Sequence, residues 1–336
     1  MLALLRGAIE GQDISTSRCL DVSLSSHDWW SLFRLMQQNH VAAMTADTMA
    51  ALDVPREVKI PWLAERDKAA RWHRYQREVQ QEIVDTMKHH GIETLVLKGT
   101  NTAQYYPVPE LREFGDLDLY FYDRHDEADR VAHEKLKAAV GNDAHHHSKY
   151  DYRGITIESH YDFVNTHYPP SNRRYETLLK EICPSPTFEV LFLLRHMAGH
   201  FAAARITLRD LVDWALTCRA LSDKVDWGRV QDIVTEYGMA PFVSALDDIA
   251  ERRLGYSIPV RLVHDDDAVE KVERDMVYGS VDSSKADGIK RLIWKSRRWR
   301  AMAWKRGMVY SDSPMALWFS SLSSHAEKPQ SFLHKQ

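Results

Sequence analysis

Two aspartates, Asp116 and Asp118, sit in the run Asp116-Leu117-Asp118-Leu119-Tyr120-Phe121, where acidic and apolar residues alternate with period two. That alternation predicts a half-buried strand, and residues i and i+2 of a strand point to the same face. Two carboxylates are then held a few ångströms apart. Each raises the pKa of the other unless a cation lies between them. Mg²⁺ suits such a pair: it is a hard ion, usually held by one or two carboxylates together with substrate phosphates. Leu117 and Leu119 are expected to face the core and hold the strand in place. Taken alone, the same pattern also describes the solvated face of a strand edge.

The flanking residues add to the pair. Upstream, the β-rich run Ile92 to Leu97 leads directly into Lys98-Gly99-Thr100-Asn101 and a short helical stretch before Pro107. The order is strand, glycine turn, helix. A helix start presents free N–H groups to a phosphate, Gly99 lets the backbone approach closely, Thr100 adds a hydroxyl, and Lys98 can meet phosphates as a point charge. An ordinary strand-to-helix turn is the competing account. Downstream, Glu158 lies in the strand-like run Gly154 to His160 and can supply a third carboxylate, with His160 on the same face. Arg112 can reach a triphosphate, brace the acidic strand, or form a loop salt bridge.

The stretch LVLKGTNTAQYYPVPELREFGDLDLYF, followed by ITIESHYDF, resembles the nucleotidyltransferase superfamily. More narrowly, it resembles a poorly characterised bacterial branch with a Leu-Lys-Gly turn, a Tyr-Pro loop, an Arg and then Asp-hydrophobic-Asp. LLRHMAGHFAAARITLRDLVDWAL resembles the same branch more loosely. The resemblance implies a phosphate turn at Gly99 and Thr100, metal ligands at Asp116 and Asp118, and Glu158 as the third carboxylate, either a metal ligand or the base for an acceptor hydroxyl. Lys98, Arg112 and His160 are the further nucleotide-binding candidates. Thr100 stands where Ser or Gly is usual, and Glu158 where Asp is common. The implied reaction is Mg²⁺- or Mn²⁺-dependent transfer of NMP from an NTP, with release of pyrophosphate. The acceptor is a small molecule, peptide or protein, with RNA less favoured. The alternatives are a nucleotide-binding regulatory module without turnover, or an enzyme that modifies proteins or peptides in a biosynthetic or toxin–antitoxin setting.

These residues need elements to position them. Residues 1–90 read as helical: Ser26 is a candidate N-cap for one helix over the following 26 residues, and a second, highly charged helix runs from Pro61 to His90, with Gly91 placed to end it. Residues 91–170 carry the mixed strand and helix pattern, with a helix over 125–140 and a polar loop, GNDAHHHSKYD, before the last strand. Residues 171–336 read as helical, with Thr187 a candidate cap and a polar, frayed last dozen residues. The fold class is α/β of the α+β kind: a small mixed-sheet nucleotidyltransferase core between N-terminal helices and a larger C-terminal helical region.

Other groups compete for attention. His196 and His200 share a helix face at i, i+4, a spacing that can bind zinc, but the Glu of a metalloprotease motif is missing and no third ligand is near in sequence. His145-His146-His147 falls in the polar loop, where a solvated loop is the default reading and adventitious metal affinity the alternative. Asp210 and Asp213 lie in a helix, where one caps or pairs with Arg205 or Arg209, or braces the site. Residues 290–306 carry eight Lys or Arg with Trp294, Trp299 and Trp304. They read as a helix with packed tryptophans and solvated charges, or as a polyanion surface.

Composition narrows the class. The chain has 336 residues, 44% of them hydrophobic, and a net charge of −4, so nothing draws the whole protein to nucleic acid or anionic membrane. Cys19, Cys183 and Cys218 are far apart and odd in number, which points away from a disulfide framework and towards a reducing cytoplasm. No run approaches the roughly 18 apolar residues of a membrane span.

Overall fold

The computed structural model describes residues 1–11, 24–139, 141, 146–279 and 289–327. Cys19, His145 and the tail beyond Glu327 lie outside the described residues. The elements run α1 (Leu2–Glu10), α2 (Ser26–Gln38), α3 (Ala42–Ala50), α4 (Arg56–His89), β1 (Leu95–Val96), α5 (Thr100–Ala103), β2 (Asp116–Tyr120) and α6 (His125–Lys135). Then come β3 (His147–Tyr152), β4 (Ile155–His160), α7 (Asn172–Ile182), α8 (Pro186–Ala203), α9 (Leu208–Leu221), α10 (Trp227–Glu236) and α11 (Ala240–Leu254). The last four are α12 (Asp266–Tyr278), α13 (Ile289–Ala301), α14 (Ala303–Val309) and α15 (Pro314–Glu327). The class is mixed α+β, with one small sheet and many helices.

Two compact units divide the chain. One is Met1–Tyr161 with Thr207–Ala220 and Ile249–Ser257; the other is Asp162–Ile206 with Leu221–Asp248 and Ile258–Gln336. The first holds the sheet, in the order β1-β2-β4-β3, with β2 and β4 parallel and both outer pairings antiparallel. One face of this sheet is apolar. Leu117, Leu119, Tyr150, Ile155 and Ile157 are buried there against Val79, Ile83 and Met87 of α4 and Ala128, Val131 and Ala132 of α6. The alternation that puts these residues inward puts Asp116, Asp118, Glu158 and His160 on the other face. Register matters here, because a slip of one residue would exchange the two faces.

The N-terminal helices differ from the sequence expectation in their boundaries. Ser25, not Ser26, caps α2, in a capping box with Asp28. The single expected helix is two, because the chain breaks at Asn39 and His40, where His40 has φ 56°. The buried Asn39 side chain holds the break: Nδ2 donates to the Leu35 carbonyl and Oδ1 accepts from Leu208 N. Helix α4 begins at Arg56 rather than Pro61, so Pro61 lies inside it and removes one helical hydrogen bond. Packing sustains the helix through this point, since Val58 and Trp62 are fully buried and the Trp62 indole donates to the Ala42 carbonyl. At the other end, Gly91 follows the last turn with φ 70°.

The second unit is helical. Helix α8 is buried on nearly all sides, which explains its lack of an amphipathic stripe. Its cap is Ser185, whose hydroxyl accepts from Phe188 N, rather than Thr187, whose hydroxyl accepts from Asp226 N. Buried cations organise this unit. Arg195 donates to Asn172 and to the Val309 carbonyl. Lys305 is fully buried and donates to Asp275 and to the Ala204 carbonyl. Within the basic segment 290–306, Lys305 and Arg306 therefore pack inward, with Arg306 stacked 3.7 Å from the Trp299 ring. Exposed Arg297 and Arg300 face water. Among the described residues, no helix is long and apolar enough to cross a membrane.

Candidate active site

The parallel pairing of β2 with β4 places Asp116 opposite Thr156, Asp118 opposite Glu158, and Tyr120 opposite His160. Strand β3 then places His147 opposite His160 and Lys149 opposite Glu158. All of these share the polar face. Residues 147–151, expected as the end of a polar loop, are instead part of strand β3. The hairpin is closed by Arg153 and Gly154, both at positive φ (53° and 75°). Two central residues of that kind make the tight turn whose twist matches a β-hairpin. The alternation of His147, Lys149 and Asp151 with Ser148, Tyr150 and Tyr152 is present in the sequence and marks this strand.

Asp118 is the buried centre of the face, 2% exposed. Its Oδ1 lies 3.1 Å from Lys98 Nζ and 3.1 Å from His160 Nε2. Glu158 has a parallel arrangement: Oε1 is 3.6 Å from His147 Nε2 and 3.6 Å from Lys149 Nζ, and Oε2 is 3.8 Å from His160 Nε2. Burial pushes the Glu158 carboxyl above its ordinary pKa, and the charges of Asp118 and Asp116 push it further. Burial also holds the His147 imidazole down to about 3 and His146 to about 2, with the neighbouring His160 adding to both. Both rings are therefore neutral at neutral pH and have a nitrogen lone pair to offer.

Among the described residues, two groups on this face could hold an ion: Asp118, Glu158 and His160, and His146, His147 and His160. In each, the ligand atoms lie within 4.8 Å of one another. The first group offers two carboxylate oxygens and an imidazole nitrogen, a donor set that fits a divalent cation. Asp116 is half-buried on the same face, one strand repeat before Asp118, and lies outside both groups. His196 and His200 have rings 4.4 Å apart but belong to neither group.

The glycine turn stands next to the acidic strand. Leu97 N donates to the Asp118 carbonyl, which fixes the start of the turn to β2. Gly99 has φ 65° and ψ −110°, a conformation that side chains exclude. A Cβ there would also meet the Phe114 ring at 3.3 Å. The Thr100 hydroxyl donates to Gln80 of α4 at 2.6 Å. Arg112 is buried and forms a bidentate pair with Asp213 of α9, with both bonds 2.7 Å, while its remaining arm donates to the Gly99 carbonyl. Tyr106 donates to the same Asp213 carboxylate at 2.6 Å. Asp210, in contrast, accepts from Thr207 N and Oγ1 and works as a helix cap. Asp213, which the sequence offered as a partner of Arg205 or Arg209 or as a brace for the site, is the partner of Arg112. Gln80 of α4, which meets Thr100, and the strand residues His147 and Lys149 of the polar face are residues that sequence reasoning did not assign.

The structure thus has an α+β core with two opposed carboxylates, Asp118 and Glu158, beside the Lys98-Gly99 turn. Residues 25–255 match the family model described as uncharacterised nucleotidyltransferase, and the chain belongs to that family. No curated protein and no solved structure matches the chain. The family supports nucleotidyl transfer as the general role.

Proposed function

We propose that this protein transfers NMP from an NTP to an acceptor, releasing pyrophosphate, at the polar face of the sheet. The observation that carries this reading is the convergence of Lys98, Asp118, Glu158 and His160 beside the Gly99 turn. The acceptor oxygen forms a bond to the α-phosphorus, the bond from that phosphorus to the β-phosphate oxygen breaks, and pyrophosphate leaves. Glu158, made more basic by burial and by its acidic neighbours, receives the acceptor's proton or completes the metal ligand set. Lys98 meets phosphate charge, and Gly99 lets the phosphates approach backbone N–H groups that a Cβ would obstruct. Arg112, anchored on Asp213, positions the turn through the Gly99 carbonyl. Mg²⁺ or Mn²⁺ would be held by Asp118 and Glu158, with Asp116 on the same face outside the close group, and would supply the positive charge that the transferring group needs. The acceptor is a hydroxyl or phosphate on a small molecule, peptide or protein, and we place the reaction in the cytoplasm.

The test is incubation with Mg²⁺ or Mn²⁺ and each of four α-labelled NTPs, with cell extract as the acceptor source. An Asp116→Ala/Asp118→Ala variant is the control. Label transfer by the wild type alone is the expected result. Absence of NTP binding to the wild type in calorimetry would overturn the reading. Lys98→Ala is expected to weaken NTP binding; unchanged affinity removes Lys98 from the phosphate site.

A further inference from the structure

The polar face holds a second donor group of different chemistry. His146 and His147 enter at the start of β3, and His160 ends β4 beside them. The ring centroids are 4.5 Å apart for His146–His147, 5.1 Å for His147–His160 and 5.5 Å for His146–His160. Each ring places a nitrogen within 4.8 Å of the other two. The backbone is tied down here, since Tyr161 N donates to the His146 carbonyl. His147 and His160 are 8% and 3% exposed.

A second observation points to a ligand. The Nδ1 atoms of His146 and His147 are both buried and make no hydrogen bond. A buried polar atom without a partner costs about 1–3 kcal/mol. Two such atoms on adjacent imidazoles, in rings clustered with a third imidazole, are an expensive arrangement for packing alone. A cation that accepts lone pairs from the cluster relieves it.

We propose that His146, His147 and His160 form a three-imidazole site for a borderline divalent transition metal, with Zn²⁺ as the type. Imidazole nitrogen suits Zn²⁺, Co²⁺ or Ni²⁺, whereas Mg²⁺ takes oxygen ligands. Three protein ligands with one further position is the coordination of an open zinc site. On a tetrahedral ion the nitrogens stand roughly 3.4 Å apart, given Zn–N distances near 2.1 Å. Rotation of the three side chains covers the difference from 4.8 Å. Glu158, whose oxygens lie 3.6 Å from His147 Nε2 and 3.8 Å from His160 Nε2, is placed for the fourth position or for orienting the rings. The site stands on the imidazoles and does not depend on nucleotidyl transfer. Because His160 also touches Asp118, occupancy would be felt at the carboxylates.

The experiment is a Zn²⁺ titration of chelator-stripped full-length protein in competition with a chromophoric chelator, without nucleotide and with excess Mg²⁺ present. Co²⁺ absorption in the visible range reports nitrogen ligation. The expected result is one tight Zn²⁺ per chain, weakened tenfold or more by His146→Ala and by His147→Ala, with Asp118→Asn within a few-fold of wild type. Failure of nucleotidyl transfer leaves this readout untouched. His146 is the less buried of the pair, so His146→Ala carries the test if His147→Ala does not fold, as judged by circular dichroism in chelator. Wild-type affinity in both histidine variants overturns the site, as does loss of the tight Zn²⁺ in a His196→Ala/His200→Ala control alone.

Discussion

Asp118 and Glu158 are direct partners in the parallel register of β2 and β4, forty residues apart in sequence. Each carries a lysine and a histidine as neighbours, Lys98 and His160 for Asp118, Lys149 and His147 for Glu158. Under the proposed reaction, this pairing makes function and stability pull in opposite directions. Burial and the adjacent carboxylates raise the Glu158 pKa, so its charged form is held at a cost. Glu158→Gln is expected to lower label transfer by about 100-fold or more, the scale for losing a group that acts on developing charge. Its melting temperature at pH 8 should equal or exceed that of the wild type. Retained transfer with a lower melting temperature would make Glu158 a structural residue.

The Arg112–Asp213 pair gives a second prediction. Both side chains are buried, at 5% and 2% exposure. Breaking a buried pair leaves an uncompensated charge and costs about 3–5 kcal/mol. Asp213→Ala should therefore lower the urea midpoint strongly and loosen the Gly99 turn. Arg112→Met/Asp213→Leu together should cost less than either single change. Additive losses in the double variant would show that the pair is not the source of the cost.

Gly99 is constrained by two independent facts, its positive φ and the Phe114 ring, which stands 3.3 Å from where an alanine methyl would sit. Gly99→Ala is expected to destabilise by more than the roughly 1 kcal/mol at stake where alanine fits. Gly99→Ala/Phe114→Leu should recover the steric part only. Full recovery in the double variant would mean that backbone strain contributes nothing.

Glu176 gives a pH signature in the helical unit. Its carboxylate accepts from Phe163 N and Val164 N, yet burial pushes its pKa up to about 7 from an ordinary 4.5. The folded state thus keeps a proton that the unfolded chain releases. The stabilising contribution is full below pH 4.5 and is lost as pH rises through about 7. The change is on the order of 3 kcal/mol between those limits. Glu176→Gln mimics the protonated form, so wild-type stability should fall relative to the variant between pH 5 and pH 8. A difference in denaturation midpoint that does not vary with pH would refute this account.

Local pattern is enough to read much of the candidate site's backbone setting. Asp116-Leu117-Asp118-Leu119 announces a strand with carboxylates on one face, because side chains alternate regardless of what the strand pairs with. Lys98-Gly99 announces a turn, and Gly91 a helix end, because both rest on backbone sterics within a few residues. The mixed α+β class follows from the same local periodicities. Only the tertiary structure decides which groups meet. The pairing of Asp118 with Glu158, the arrival of His147 beside His160, and the anchoring of Arg112 on Asp213, 101 residues away, depend on register and packing between distant segments. Strand β3 has its alternation in the sequence, but the polar residues before and within it read as loop until β4 pairs with it. The physical reason is common to these cases: alternation sets which way a side chain points, while burial of the apolar face against α4 and α6 sets what it points at.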